Sequence, residues 1–250
     1  MSGHSKWSTI KRKKGEADSK KGKIFTKLVR EITTAARMGG GDPSGNPRLR
    51  AAVAAARVER MPTDNIERAI KRGTGELEGP PVEEISYEGY AAAGVAVFIE
   101  AQTDNRNRTS AEVRSAFSKN GGNLGQSGSV GWMFNKCGQF VFDASKYTED
   151  EVIEAALEGG AEDVVHDGPS ITVTCDTRIF TDLLDHFEKL QFQYDSAELT
   201  MVPENSIKVA GDEAELVLRL VEKLEDLDDV QKVYANFDID EAELERLVGS

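Results

Sequence analysis

Histidine and cysteine are scarce in these 250 residues, with three of the first and two of the second. His4, His166 and His186 lie far apart, and Cys137 and Cys175 form no CxxC pair, so no metal-ligand spacing exists. The sequence also lacks an HExxH helix and a GxSxG elbow. Acidic runs at 226–229 and at Asp238 and Asp240 lack the glycine and the closing Glu of a calcium loop. No catalytic constellation, metal site or cofactor motif emerges, and the chain reads as a non-enzyme. Long apolar runs are missing too: nothing approaches the ~20 residues that span a bilayer. The first residues carry no apolar signal core, which excludes export by that route. The expectation is a soluble cytoplasmic chain, away from membranes, with both cysteines reduced and buried.

What the sequence has is charge, unevenly spread. Residues 1–75 hold 18 Lys and Arg against 7 Asp and Glu, a net of +11. The remainder holds 13 against 37, a net of −24, so the overall −13 hides two opposite parts. An acidic body repels polyanions while a basic end attracts and orients them. The segregation points to a phosphate-binding module attached to a body with another task, such as contact with ribosomal or transcriptional proteins.

Hydrophobic periodicity gives the organisation. Residues 1–19 are rich in Gly, Ser and Lys and read as a mobile basic arm with Trp7 and Ile10 as anchors. From Lys20 a helical stripe runs through Ile24, Leu28, Ile32 and Ala36 and stops at Gly39-Gly40-Gly41. Asn46 as N-cap and Pro47 in the first position open a second helix, which buries Leu49, Ala52, Val53 and Ala56. A short third helix follows Met61-Pro62, with Gly73 as its stop. Beyond a linker at 73–81, Val95–Thr103 reads as a strand, 106–119 as a helix and Trp132–Phe134 as a further strand. Residues 135–205 carry a full βαββαβ order, the ferredoxin-like arrangement, with a Thr148/Glu151 capping box and an Asp167-Gly168 turn. Strand, helix and strand recur at 206–209, 212–224 and 230–237. The fold class is therefore α+β: an N-terminal three-helix domain (1–75) and two ferredoxin-like α/β domains. One of these is split (82–134 with 206–250), and the other (135–205) is inserted in it.

Candidate nucleic-acid contacts cluster in the basic part. In the arm they are His4, Lys6, Trp7, Lys11, Arg12, Lys13, Lys14, Lys20, Lys21 and Lys23. Ammonium groups neutralise phosphates, and Trp7 or His4 could stack on unpaired bases, although Trp7 serves equally as a hydrophobic anchor. On the second helix Arg50, Arg57 and Arg60 share a face with Arg48 beside them, and Lys71 and Arg72 close the third. Guanidinium forks suit phosphates and base edges, yet a merely solvated face would look the same. Helices two and three could pass for a helix-turn-helix, a weak signal without a defined recognition surface. Arg106 and Arg108 sit where a strand turns into a helix, a secondary phosphate candidate. Against this, Asp104 or Asn105 could simply cap that helix while the arginines pair with acids. The GGNLGQSGSVG run at 121–131 resembles a phosphate loop only superficially, because it lacks the GK[ST] ending.

Taken together, GHSKW, the IKRKK run, KGKIFTKLVREITTAAR, GGGDPSGNPRLR, MPTDNIERAIKRG, YEGY, TDNRNRT and GGNLGQSGSVGW resemble the YebC/PmpR family along essentially the whole chain. The resemblance implies a helical N-terminal domain followed by two interleaved α/β domains, nucleic-acid binding and no enzymatic activity. It implies a DNA-binding transcriptional regulator; relatives that act in translation make a ribosome-associated factor contacting ribosomal RNA the alternative. One departure stands out: YEGY continues as Ala91-Ala92-Ala93-Gly94 where the family carries a Gly-Pro-Gly type turn.

Overall fold

The computed structural model describes residues 21–249. Of the arm, His4, Lys6, Trp7, Lys11, Arg12, Lys13, Lys14 and Lys20 lie outside the described residues, and Lys21 enters only as the first residue of a helix. The chain forms two compact units. Among the described residues one is Trp132–Ser206, and the other combines residues 21–131 with those from Ile207 onward.

In the second of these, α1 (Lys21–Gly39), α2 (Pro47–Val58) and α3 (Thr63–Thr74) pack around Ile32, Leu49, Ala56 and Ile66. Full burial of side chains such as Ile32 and Leu49 contributes about 1.5–3 kcal/mol each. Asn46 joins two helix ends with one side chain. Its Oδ1 accepts from Leu49 N–H at 3.1 Å, capping α2. Its Nδ2 donates to the carbonyls of Ala35 and Gly40, both at 2.8 Å, so the end of α1 is satisfied as well. Gly73 is not the stop expected of it. The helix runs to Thr74, and Gly75 takes the left-handed cap at φ 84. A Cβ at Gly73 would lie 2.4 Å from the Thr33 carbonyl, so this glycine lets α3 approach α1 closely. The end of α2 holds a second difference: the helix stops at Val58, and Arg60 occupies the left-handed position of the closing turn (φ 58). There Arg60 N–H bonds Arg57 O and Met61 N–H bonds Ala56 O, the paired closure of a Schellman end. Arg60 therefore leaves the helical face it was assigned to share.

The sheet of this unit has the order β3-β1-β2-β9. It comprises β1 (Glu83–Tyr90), β2 (Ala96–Thr103), β3 (Asn123–Leu124) and β9 (Val230–Ala235), with α4 (Arg106–Lys119) and α7 (Gly211–Glu225). β1 and β2 are antiparallel, with Tyr87 opposite Ile99. The sequence reading missed β1 even though Ile85, Tyr87 and Gly89 alternate with Glu84, Ser86 and Glu88, a period of two. The turn between β1 and β2 carries the departure from the family pattern: Ala93 is held at φ 56, ψ 13, where glycine is favoured. β8 (Ile207–Lys208) joins not this sheet but β10 (Phe237–Asp238), in parallel. A last helix, α8 (Glu241–Gly249), was not anticipated.

The unit Trp132–Ser206 is a four-stranded antiparallel sheet of order β5-β6-β4-β7 with two helices on one face, the ferredoxin-like arrangement. Its strands are β4 (Phe134–Asp143), β5 (Asp163–Asp167), β6 (Ser170–Cys175) and β7 (Ser196–Pro203). Its helices are α5 (Glu149–Glu158), opened by the Thr148/Glu151 capping box, and α6 (Phe180–Lys189). Phe140, Phe142, Ile171, Val173, Leu183 and Phe187 form its core. The Trp132–Phe134 strand does not exist as such: Gly131–Met133 is a short 3-10 turn and Phe134 opens β4. The β5–β6 turn also lies one residue later than expected, because Asp167 pairs with Ser170 and leaves Gly168-Pro169 between them.

Candidate nucleic-acid interface

The arginines divide into those the fold consumes and those it leaves outward. Arg48 belongs to the first group. It grips Glu31 of α1 through Nε and Nη2, at 2.7 and 2.9 Å, and Nη2 also reaches Glu84 of β1 at 2.6 Å. Its hydrogen bonds to the Glu31 carboxylate raise its pKa beyond the usual arginine value, with further help from Glu84 and against the effect of burial. Arg48 is thus a fastening of the helices to the sheet. Gln102 joins the same cluster, donating to Glu31 at 2.6 Å.

A second fastening centres on Asp229, which is 2 % exposed. Arg30 of α1 pairs with it and also donates to the Asp228 carbonyl at 2.7 Å. Arg108 meets Asp229 at 2.8 Å, Thr109 Oγ1 donates at 2.5 Å and Thr103 Oγ1 at 3.2 Å. Burial pushes the Asp229 carboxyl up, but the Thr109 and Arg108 hydrogen bonds and the two guanidinium charges outweigh it and hold its pKa below the ordinary range. Arg108 also binds Asp104 at 2.7 Å, while Asn105 caps α4 by accepting from Arg108 N–H. Arg106 lies 3.8 Å from Glu83. The TDNRNRT segment is therefore built from capping and ion pairing, and Arg108 has a fastening role. Lys23 pairs with Asp226 at 3.1 Å, with both side chains almost half exposed.

The glycine-rich loop has an equally internal purpose. Glu88 of β1, 5 % exposed, accepts from the backbone N–H groups of Gly128, Val130 and Gly131, each at 2.7 Å. Burial works to raise its pKa, yet the three N–H groups prevail and it is lowered. The loop does cradle an anion, but that anion is a carboxylate of the same chain. Sequence reasoning missed both Glu88 and Asp229. Glu88 falls on the polar side of the β1 alternation, and nothing local marks its burial or that of Asp229.

The outward group is densest on α2, the turn after it and α3, although Arg37 at the end of α1 and Arg114 of α4 are also exposed and form no ion pair with another described residue. Arg50 makes only two long bonds of 3.4 Å to the carbonyls of Pro43 and Ser44. Arg57, Arg60, Arg68, Lys71 and Arg72 are exposed. None of these five forms an ion pair with another described residue. On α2, Arg50 and Arg57 flank a smooth outer surface of Ala51, Ala54, Ala55 and Val58. Arg68 was not among the candidates, although its i,i+3 and i,i+4 spacing to Lys71 and Arg72 places it on their side of α3.

Catalytic alternatives find no support in the thiols. Burial pushes both Cys137 and Cys175 up to about 11, so they stay protonated at neutral pH. Among the described residues no group of three or more His, Cys, Asp and Glu could hold a metal ion. No described helix is long and apolar enough to cross a membrane.

A helical N-terminal region, fastened by ion pairs to an α/β domain that carries a second α/β domain as an insertion, defines a multidomain α+β protein. Comparison with known proteins narrows this class. Residues 5–76 match the TACO1/YebC protein N-terminal domain and residues 82–237 the TACO1/YebC second and third domain. The chain belongs to the TACO1/YebC family. Proteins named probable transcriptional regulatory protein in Geobacter sulfurreducens and Geotalea uraniireducens are each 56% identical over 248 residues, 99% of this chain and all of theirs. The crystal structure of a conserved hypothetical protein from Aquifex aeolicus superposes with a TM-score of 0.81 at 46% identity, over 90% of this chain and 93% of that one.

Proposed function

We propose that the protein is a non-enzymatic, DNA-binding regulator of transcription that holds phosphates with the outward cations of α2 and α3 together with the arm. The observation that carries this is the partition of the arginines. Arg30, Arg48 and Arg108 are bound by carboxylates, whereas Arg57, Arg60, Arg68, Lys71 and Arg72 remain without ion pairs among the described residues. The names of the relatives support a regulatory role. Fluorescence anisotropy with duplex DNA over a salt series tests the reading. Alanine at Arg57, Lys71 or Arg72 should each weaken binding and lower the salt slope by about one unit. Replacement of Lys11, Arg12, Lys13 and Lys14 should flatten it further. A slope that none of these changes refutes the assignment.

One observation favours a second reading, in which the target is ribosomal RNA. A helix-turn-helix reads bases with the start of its second helix. Here that start exposes Asp64 and Glu67, which repel phosphates. The basic residues come later on α3, an order suited to following a backbone by shape. Ultraviolet cross-linking in growing cells separates the readings. Discrete positions in ribosomal RNA would make the protein a translation factor, and a few promoter loci would make it a transcriptional regulator.

A further inference from the structure

Next to the cationic face, α1 and the segment following α3 enclose a groove with two adjoining lobes of about 540 and 510 Å³. Phe25 and Val29 of α1 and Pro80 and Val82 of the following segment form its apolar lining. Its charged lining is not uniform. Arg30 is occupied by Asp229, and Asp104 by Arg108. Arg37 commits one N–H to the Val82 carbonyl at 2.8 Å, and Arg72 has no ion pair among the described residues. The guanidinium groups left to a ligand are those of Arg37 and Arg72, with Glu78 as the remaining acid.

We propose that this groove receives one unpaired nucleotide of the bound nucleic acid, a deepening that rests on the nucleic-acid reading above. Each lobe falls within the size range of small-ligand sites. The base lies against Phe25 and Val29, its phosphate meets Arg37 and Arg72, and the Glu78 carboxylate accepts from an exocyclic amino group of the base. Bases stacked inside a duplex cannot enter such a groove, whereas an overhanging or extruded base can. The protein then discriminates by strand state as well as by charge.

The test is anisotropy of the full chain with a fluorescein-labelled blunt DNA duplex and with the same duplex bearing a short 3′ overhang. Stacking of one base predicts that the overhang is bound tighter by roughly fivefold or more. Gly79→Leu supplies the decisive variant. Gly79 lines both lobes and a Cβ there comes within 3.2 Å of Arg72 Cδ, so the larger side chain narrows the groove without altering charge. It should bind the blunt duplex within about twofold of wild type and lose the overhang preference. Arg72→Ala, at an exposed position, should lose more affinity for the overhang than for the blunt duplex. Retained preference in both variants overturns the site. Equal binding of the two duplexes by the wild type overturns it as well, while leaving the cationic face intact. Binding of neither duplex removes the DNA-binding reading and the groove proposal together.

Discussion

Replacing Asp229 with Asn should detach the helices from the sheet energetically without changing the shape of the side chain. Asp229 is the shared acceptor of Arg30, Arg108, Thr109 and Thr103. Removing one member of a buried pair costs about 3–5 kcal/mol, because the partner charge stays desolvated. Arg108 is 41 % exposed and can rehydrate, but Arg30 is only 17 % exposed and cannot do so fully. The expected loss is therefore about 3 kcal/mol, the lower end of that range. For a chain of this size it corresponds to a fall in Tm of roughly 6–12 °C. The pH dependence gives a sharper test. The Asp229 pKa is lowered by folding, so its contribution is complete above the ordinary carboxylate range near pH 4 and is lost as pH falls through the depressed value. Thermal and urea melts of wild type and D229N should diverge at pH 7 and converge in acid. Adding Arg30→Met to D229N should recover part of the loss by removing the stranded charge. A difference below about 1 kcal/mol at neutral pH, or one that ignores pH, would refute the fastening.

Other outcomes follow from equally local features. Asn46→Ala removes the α2 cap and strips two carbonyls of their donor, so about 2–4 kcal/mol should be lost in urea unfolding; a loss under 1 would mean that water replaces the amide. Ala93→Gly should raise stability by about 1 kcal/mol, because Ala93 sits at φ 56; an unchanged melt would show that the turn is relaxed. Glu88→Gln should cost about 1.5–3 kcal/mol and speed amide exchange at Gly128, Val130 and Gly131, an effect that vanishes in strong acid where Glu88 is itself neutral. Cys137 and Cys175 should react slowly with iodoacetamide at pH 8, since burial holds both thiols near 11; rapid labelling of the native protein would contradict their burial.

The helices and the inserted sheet were legible because their signals are local. Asn46-Pro47, the Thr148/Glu151 box and the apolar stripe on α1 each act within a turn or two, and each recurs in the structure. β1 was overlooked because three glutamates and a glycine weaken its apolar character. Burying Glu88 there becomes favourable only when the loop at 128–131 folds over it, about forty residues later. Gly73 was read as a stop by its position near the helix end, whereas its cause is a carbonyl of α1. The swap of partners by β8 and β10 has no local signature either. In each case the deciding contact joins residues distant in sequence.

The same reasoning explains why basic motifs could be found in the sequence but not ranked. TDNRNRT and IERAIKRG look alike as strings, with arginines beside acids and helix-start residues. What separates them is Asp229, which lies 121 positions from Arg108 and only becomes its partner when β9 joins β2. Arg30 and Arg48 of the helical region are likewise drawn inward by carboxylates, Asp229 and the Glu31/Glu84 pair. Those pairings neutralise the side of the helices that meets the sheet. Among the described residues of the helical region, cations without an ion pair remain at Arg37, at Arg50 and Arg57 of α2, at Arg60 and along α3, with Asp64 and Glu67 beside them. A chain of net charge −13 keeps a local group of unpaired cations in this way, because Asp229, Glu31 and Glu84 engage Arg30, Arg48 and Arg108 and leave Arg57, Arg68, Lys71 and Arg72 without ion pairs among the described residues.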